Sequence, residues 1–456
     1  VIPTPGRHAR GRPSWPVALG VAAVALGLVV AIMMYAGRPT ESRGVAMNIA
    51  PTQPAPSLPP PPVTDGWPRW GVTHTQFSAA EEGHQAETAA RYLLSRVPML
   101  QNQHIMGWGA DNPEPAPGKY DFGTLDRRLT FMASAQGQPV ITLCCAPDWM
   151  KGGVEGRTDW DRNTVAPHEE FFDDYARLAV AVAERYPTVK HFMVWNEFKG
   201  FWNNATNSWD AAAYTRLYNT VYDALKAVDK DIKVGGPYIP IDSNESGESE
   251  LKGEWGAVDQ RTLDAIEYWI ENKRGADFIV VDGHSATKDT AAIIPDEFSA
   301  LKKFSAVTTW LREKSGDLPV WWAEWYVAPE SADWTEQHRT AVQAVAMMEF
   351  ATSGVTTALY WDPQQPEGAE CPGCLWRPGE GGELPMAGLL SGFTRWFHGG
   401  IALEEVTSSD PRVRVLAQAE QMVVVNTAST PVTATVDGTS IRLSPYEIKW
   451  EDRGAG

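Results

Sequence analysis

The stretch His191-Phe-Met-Val-Trp-Asn-Glu-Phe198 is a short apolar run that closes on a carboxylate, and residues 319–326 repeat the design as Pro-Val-Trp-Trp-Ala-Glu-Trp-Tyr. Runs of this length, apolar on both faces and rich in Val and aromatics, read as buried strands of a parallel sheet. Working outward, six further runs of the same kind lie at 70–77, 99–106, 139–147, 232–240, 277–285 and 355–363. Between them the apolar residues fall at helical spacing, as in Tyr214, Leu217, Tyr218, Val221 and Leu225. Ser208 is expected to cap that helix, and Gly137, Gly275, Gly316 and Gly354 stand where glycines end helices.

Eight strand–helix units within residues 65–400 predict an α/β fold, a (β/α)8 TIM barrel. An open doubly wound sheet fits less well, because Gly107-Trp-Gly109 lacks the third glycine and the helix of a dinucleotide fingerprint. After a last helix near 385–397 the pattern changes to short alternating strands at 413–418, 422–426, 432–436 and 440–443, with Asp437-Gly438 as a hairpin turn. Residues 401–456 are therefore expected to form a small antiparallel β-domain.

The N-terminal part reads differently. Arg7, Arg10 and Arg12 precede an apolar run from Val17 to Ala36, long enough to span a bilayer. A cleaved signal peptide shares that pattern, but the run is longer than its usual apolar region of roughly 7 to 15 residues and no Ala-x-Ala site follows closely. The expectation is a basic cytoplasmic segment at 1–16, a transmembrane anchor at 17–37 and a linker at 38–64, with the rest outside the cell. Seven of the twelve residues from Pro51 to Pro62 are proline, the composition of a semi-rigid spacer.

Residues 1–64 carry a formal +4, so the chain's net −18 leaves about −22 on the remainder. So acidic a surface repels phosphate backbones and argues against a nucleic-acid partner. Among the four cysteines, Cys144 and Cys145 are neighbours in an apolar run and read as inert core residues facing opposite sides of a strand. Cys371 and Cys374 have the spacing of a redox pair or half a zinc site, but no second ligand pair follows. In an oxidising exterior they read as a loop-closing disulfide.

Barrel active sites gather at the C-terminal ends of strands. Glu197 ends the fourth and Glu324 the seventh, both amid apolar and aromatic residues where an ionised carboxylate needs partners or a task. Strands four and seven lie on opposite sides of a barrel mouth, so the two carboxyls are positioned to face one substrate group. Such a pair performs glycoside hydrolysis with retention, one carboxyl protonated and the other ionised. No His-Glu-x-x-His or Gly-x-Ser-x-Gly occurs, and neither a metal nor an organic cofactor is expected.

Asn196-Glu197 closing strand four and Glu324 closing strand seven resemble the signature of the large clan of retaining glycosidases with (β/α)8 barrels. Trp195-Asn-Glu197 and Glu324-Trp325 look most like glycoside hydrolase family 39. Its members usually continue Asn-Glu with proline where this chain has Phe198, and a tyrosine is expected soon after His284 that this sixth strand lacks. The resemblance implies Glu197 as acid/base, Glu324 as nucleophile and Asn196 as partner of a sugar 2-hydroxyl. It also implies Trp361 as a platform under the reacting sugar. Trp149, Trp202, His74, His284 and Tyr326 are further candidate sugar contacts near strand ends. The expected activity is hydrolysis of extracellular oligo- or polysaccharide. The rivals are an anchored glycan-binding protein without catalysis and a transglycosylase using the same glutamates.

Overall fold

The computed structural model describes residues 54–58, 69–78, 83–327, 333–361, 363–366 and 368–454. The anchor expected at 17–37 and most of the linker lie outside the described residues. Among the described residues no helix is long and apolar enough to cross a membrane.

Eight parallel strands close into a barrel: β1 (Trp70–Thr73), β2 (Leu100–His104), β3 (Gln138–Leu143), β4 (His191–Val194), β5 (Lys233–Pro240), β6 (Phe278–His284), β7 (Val320–Tyr326) and β8 (Thr357–Tyr360). Each pairs with its sequence neighbours, and β8 closes on β1 through Trp70 against Ala358. The helices are α1 (Gly83–Leu94), α2 (Gly123–Ser134), α3 (Phe172–Arg185), α4 (Ala211–Val228), α5 (Gln260–Asn272), α6 (Lys302–Ser315), α7 (Glu336–Ser353) and α8 (Pro385–Trp396). The eight runs read from the sequence are thus the eight barrel strands, each shorter than expected at one end or both.

Helix ends differ in part from expectation. Asp210, not Ser208, caps α4, its carboxylate accepting the Ala213 amide at 2.9 Å, while Ser208 pairs with Asn203 in a short ladder. Gly316 and Gly354 end α6 and α7 in the left-handed conformation. Gly137 and Gly275 do not: Gln136 takes the positive φ after α2, and α5 ends on an extended Lys273.

Outward-facing strand residues such as Val72, Ile141, Phe192 and Trp322 meet the helices in the main core. Inside the barrel, Leu100, Val140, Met193, Val280, Trp321 and Leu359 fill the lower layers. Above them a polar layer begins: Asn102 donates to the Thr73 hydroxyl at 3.1 Å and accepts from Thr142 at 2.8 Å, and Thr73 donates to the Ala323 carbonyl at 2.6 Å. An apolar floor under a hydrogen-bonded ring fixes the strand ends that carry the site.

Cys144 and Cys145 are corrected by the structure. They follow β3, joined by a cis peptide bond and by a disulfide to each other, so their side chains do not face opposite sides of a strand. Cys371 and Cys374 are also disulfide-bonded, with Cα atoms 5.5 Å apart.

The chain ends in an antiparallel sheet of β9 (Leu403–Glu404), β10 (Val413–Gln418), β11 (Gln421–Asn426) and β14 (Ile448–Asp452), with β12 (Val432–Val436) and β13 (Thr439–Leu443) as a hairpin turned by Asp437-Gly438. Strands β9 and β14 were not read from the sequence. This sheet is fastened to the barrel by aromatics. Trp450 packs edge-on against Phe393 of α8 at 5.7 Å, and Tyr446 stacks on His338 of α7 at 3.9 Å.

Candidate active site

Two irregularities aim side chains into the barrel mouth. Along β7 the register against β6 slips: Val281 faces Trp322 but the next residue, Asp282, faces Glu324, leaving Ala323 as the added residue. The extra residue lets both Ala323 and Glu324 leave the alternation that sends Trp322 and Trp325 outward to Phe350. A second slip lies on β5, where Pro237 faces Val280 but Ile239 faces Val281, leaving Tyr238 as the added residue with φ of 52°. The Tyr238 hydroxyl thereby reaches Glu324 and donates to its Oε1 at 2.5 Å, with both residues buried.

The end of β4 is bent harder. Trp195, Glu197 and Phe198 have φ of 71°, 50° and 51°, a region non-glycine residues seldom occupy and that marks functional sites when neighbours enforce it. Enforcement is visible: the Trp195 indole donates to the Lys199 carbonyl at 2.7 Å, the Lys199 amide to Asn196 at 3.1 Å, and Phe198 packs on Tyr214 at 4.1 Å. A proline, fixed near −65°, cannot occupy position 198 here. The tight turn brings the Lys199 ammonium onto the Glu197 carboxylate as an ion pair, and 5.5 Å above the Trp108 ring.

The carboxylates of Glu197, Asp282 and Glu324 meet at the mouth, with one oxygen of each within 4.8 Å of the others. Glu197 is the accessible one, its side chain 22 % exposed, whereas Asp282 is 4 % exposed. Burial alone would raise the Glu197 carboxyl, but the Lys199 ammonium and a hydrogen bond with Asp282 outweigh it and leave its pKa lowered. Burial first, then the charges of Glu197 and Glu324, hold Asp282 well above the usual aspartate range. Burial disfavours the Lys199 ammonium, yet Glu197 and Glu324 overcome that and its pKa is raised. The acid/base role implies a raised pKa on Glu197; the lysine lowers it there, and the raised carboxyl of the cluster is Asp282, lifted by burial and the glutamate charges. The three carboxylates have oxygens spaced as hard cations require, and the Lys199 ammonium already supplies a positive charge among them.

The other expected residues divide. Asn196 is buried, and neither amide atom has a protein partner in normal hydrogen-bond geometry. His284 ends β6 and stacks on Tyr326 at 5.2 Å; burial lowers its pKa to about 4, so the ring is neutral at pH 7. Trp361 follows β8, its amide donating to the Trp325 carbonyl at 3.1 Å. Trp202 pairs with Trp209 in a two-residue ladder beyond Glu197, under the Arg261 guanidinium at 4.9 Å. His74 is engaged on both ring nitrogens, by Ser78 at 2.9 Å and Gln101 at 3.0 Å, and burial lowers its pKa to about 3. Trp149 is tied down by its indole donating to the Glu114 carbonyl at 2.9 Å and by Phe171. The structure thus uses His74 and Trp149 for packing and hydrogen bonding within the scaffold. Tyr238, Asp282 and Lys199 were not singled out in the sequence. A tyrosine, an aspartate and a lysine at or just past strand ends were the available signal.

A closed parallel barrel with carboxylates converging at the C-terminal mouth is an arrangement that glycoside-cleaving enzymes use, among others. Comparison with known proteins gives the family. The model of glycosyl hydrolases family 39 matches residues 110–354. The chain belongs to that family. A β-xylosidase of Geobacillus stearothermophilus is 26% identical over 170 residues, 35% of this chain and 30% of that protein. A β-xylosidase of Caldicellulosiruptor saccharolyticus is 28% identical over 132 residues, 27% of this chain and 26% of that one. The chain thus spans under a third of the length of these curated relatives. Among solved structures, a monomeric β-xylosidase from Caulobacter crescentus has a TM-score of 0.53 at 18% identity, covering 81% of this chain and 75% of its own. At that identity the likeness concerns the fold.

Proposed function

We propose that this protein is a glycosidase that cleaves O-glycosidic bonds of an extracellular oligo- or polysaccharide with retention of configuration, Glu324 acting as nucleophile and Glu197 as acid/base. The observation that carries the reading is the closeness of the two carboxylates: one oxygen of Glu197 lies within 4.8 Å of one oxygen of Glu324. Retaining enzymes hold this pair at about 5 to 5.5 Å, and inverting ones leave about 6.5 to 9.5 Å for a water.

Glu324, fixed by the Tyr238 hydroxyl, attacks the anomeric carbon while Glu197 gives a proton to the departing oxygen. The aglycone leaves, Glu197 takes a proton from water, and the hydroxide so formed releases the sugar from Glu324. The amide of Asn196, which no protein group meets in normal hydrogen-bond geometry, suits a hydroxyl of the reacting sugar, and Trp361 offers it an aromatic face. The apolar run at 17–36 and the proline-rich segment after it support action at the outer face of a membrane. Xylose is the first glycone to try, because both curated relatives are named for it.

The test is incubation of the full chain with a panel of nitrophenyl glycosides and polysaccharides, with proton NMR of the first-formed anomer. A first product keeping the substrate's anomeric configuration supports the reading. An inverted first product, or no cleavage of any member, counts against it.

A further inference from the structure

One carboxyl oxygen of Asp282 lies within 4.8 Å of one oxygen of Glu197 and one of Glu324, and buried carboxyls this close favour keeping a proton among them. Asp282 lies on β6, between β4 and β7 in the barrel and opposite Glu324 in the sheet, with its buried Oδ1 making no hydrogen bond. Three carboxylates this close cannot all ionise beside a single ammonium.

We propose that Asp282 stores the proton that Glu197 delivers to the leaving oxygen and receives one back through Glu197 when the sugar is released. The proposal rests on Glu197 being the acid/base. Asp282 touches no reacting atom; it is a positioning residue that acts through Glu197.

The balance closes at every step. At rest Glu197 and Glu324 are ionised, Lys199 is charged and Asp282 is neutral, a net −1 for the four groups. As the glycosidic oxygen approaches, the proton passes from Asp282 to Glu197 and on to that oxygen. Glu324 meanwhile loses its charge by forming the ester, so Asp282 and Glu197 are both ionised and the net charge is unchanged. In the second half Glu197 takes a proton from water, the hydroxide displaces Glu324 as a carboxylate, and the proton returns to Asp282. The buried cluster therefore never changes its charge, which spares the cost of placing new charge away from water. The same lysine that keeps Glu197 ionised at rest is what makes a separate proton store necessary. The electrostatics agree: burial and the two glutamate charges favour the neutral form of Asp282.

Infrared spectroscopy of the full chain with carboxyl-13C-labelled aspartate locates the proton without any substitution. At pH 7 a protonated-carboxyl C=O band is expected that shifts on labelling. Glu114, whose pKa burial raises to about 7, adds a band that does not shift. Absence of a label-sensitive band at pH 7 overturns the proposal.

Kinetics then test the relay. Asp282→Asn keeps a hydrogen bond to Glu197 but carries no proton to give. Its kcat/KM should fall roughly 10- to 100-fold on a phenyl glycoside and less than about threefold on a dinitrophenyl glycoside, whose leaving group needs no acid. Its alkaline limb should move to lower pH, because Glu197 alone loses its proton earlier. Equal losses on both substrates, or an unmoved limb, mean a structural role and overturn the relay. A Glu197→Gln enzyme unimpaired on both substrates overturns it by removing Glu197 as the acid, while the infrared band still reports where the proton sits.

Discussion

Replacing Tyr238 by Phe removes one hydroxyl and nothing else from the floor of the site. That hydroxyl donates at 2.5 Å to Glu324 Oε1, between residues that are both buried. Hydrogen bonds to charged groups contribute about 1.5 to 3 kcal/mol, and short charge-assisted ones lie at the stronger end. The bond is worth most when Glu324 is a carboxylate and least when it is an ester. Its loss therefore destabilises the state in which the carboxylate departs, and release of the sugar slows roughly 10- to 100-fold, at 1.36 kcal/mol per decade. Formation of the glycosyl enzyme starts from the ionised carboxylate and is not slowed in this way. On a dinitrophenyl glycoside the Tyr238→Phe enzyme should show a rapid burst of phenol equal to the enzyme concentration, then a kcat reduced by that factor. Stopped-flow absorbance measures both. An unchanged kcat without a burst, or a loss seen only with poor leaving groups, would show that Tyr238 does not act on Glu324 as described.

Lys199→Met removes the ammonium that keeps Glu197 ionised. The depressed Glu197 pKa then rises, its proton is held to higher pH, and the alkaline limb of kcat/KM should move upward; a limb that moves down contradicts the ion pair's role. Gly392→Ala places a Cβ 2.5 Å from the Trp450 ring where α8 meets the terminal sheet. Overpacking of this kind costs about 1 to 3 kcal/mol, so thermal unfolding should begin earlier while activity on aryl glycosides at 25 °C is retained.

The barrel was legible because its strands are continuous apolar runs between helical patterns, and period and order alone fix that topology. Strand ends were less legible for a local reason. Trp195, Glu197 and Phe198 look like further strand residues, yet their positive φ values take the chain out of β4 at Val194. Glu197 and Glu324 stood out as carboxylates in apolar runs. Tyr238 could not be placed on Glu324, because its reach depends on one extra residue in β5 and another in β7, and such slips leave no periodic trace. Asp282 and Lys199 were hidden similarly: an aspartate in Val280-Val-Asp-Gly283 reads like any strand-end polar residue, and only closure of the barrel puts it between the glutamates. The vicinal disulfide escaped because neighbours in a strand diverge, and the chain at Cys144 is no longer a strand.

The roles proposed for Glu197 and Glu324 differ, and rescue by a small anion reads that difference as stereochemistry. Glu324→Gly opens a cavity beside the anomeric carbon, so azide or formate there should attack directly and give a product of inverted configuration. Glu197→Ala still forms the glycosyl enzyme from a dinitrophenyl glycoside, and azide entering from the Glu197 side should give a glycosyl azide of retained configuration. NMR of the two glycosyl azides is the direct measurement. Inversion from Glu324→Gly with retention from Glu197→Ala is the predicted result. The same configuration from both, the opposite assignment, or parental hydrolysis rates in both variants would contradict the account.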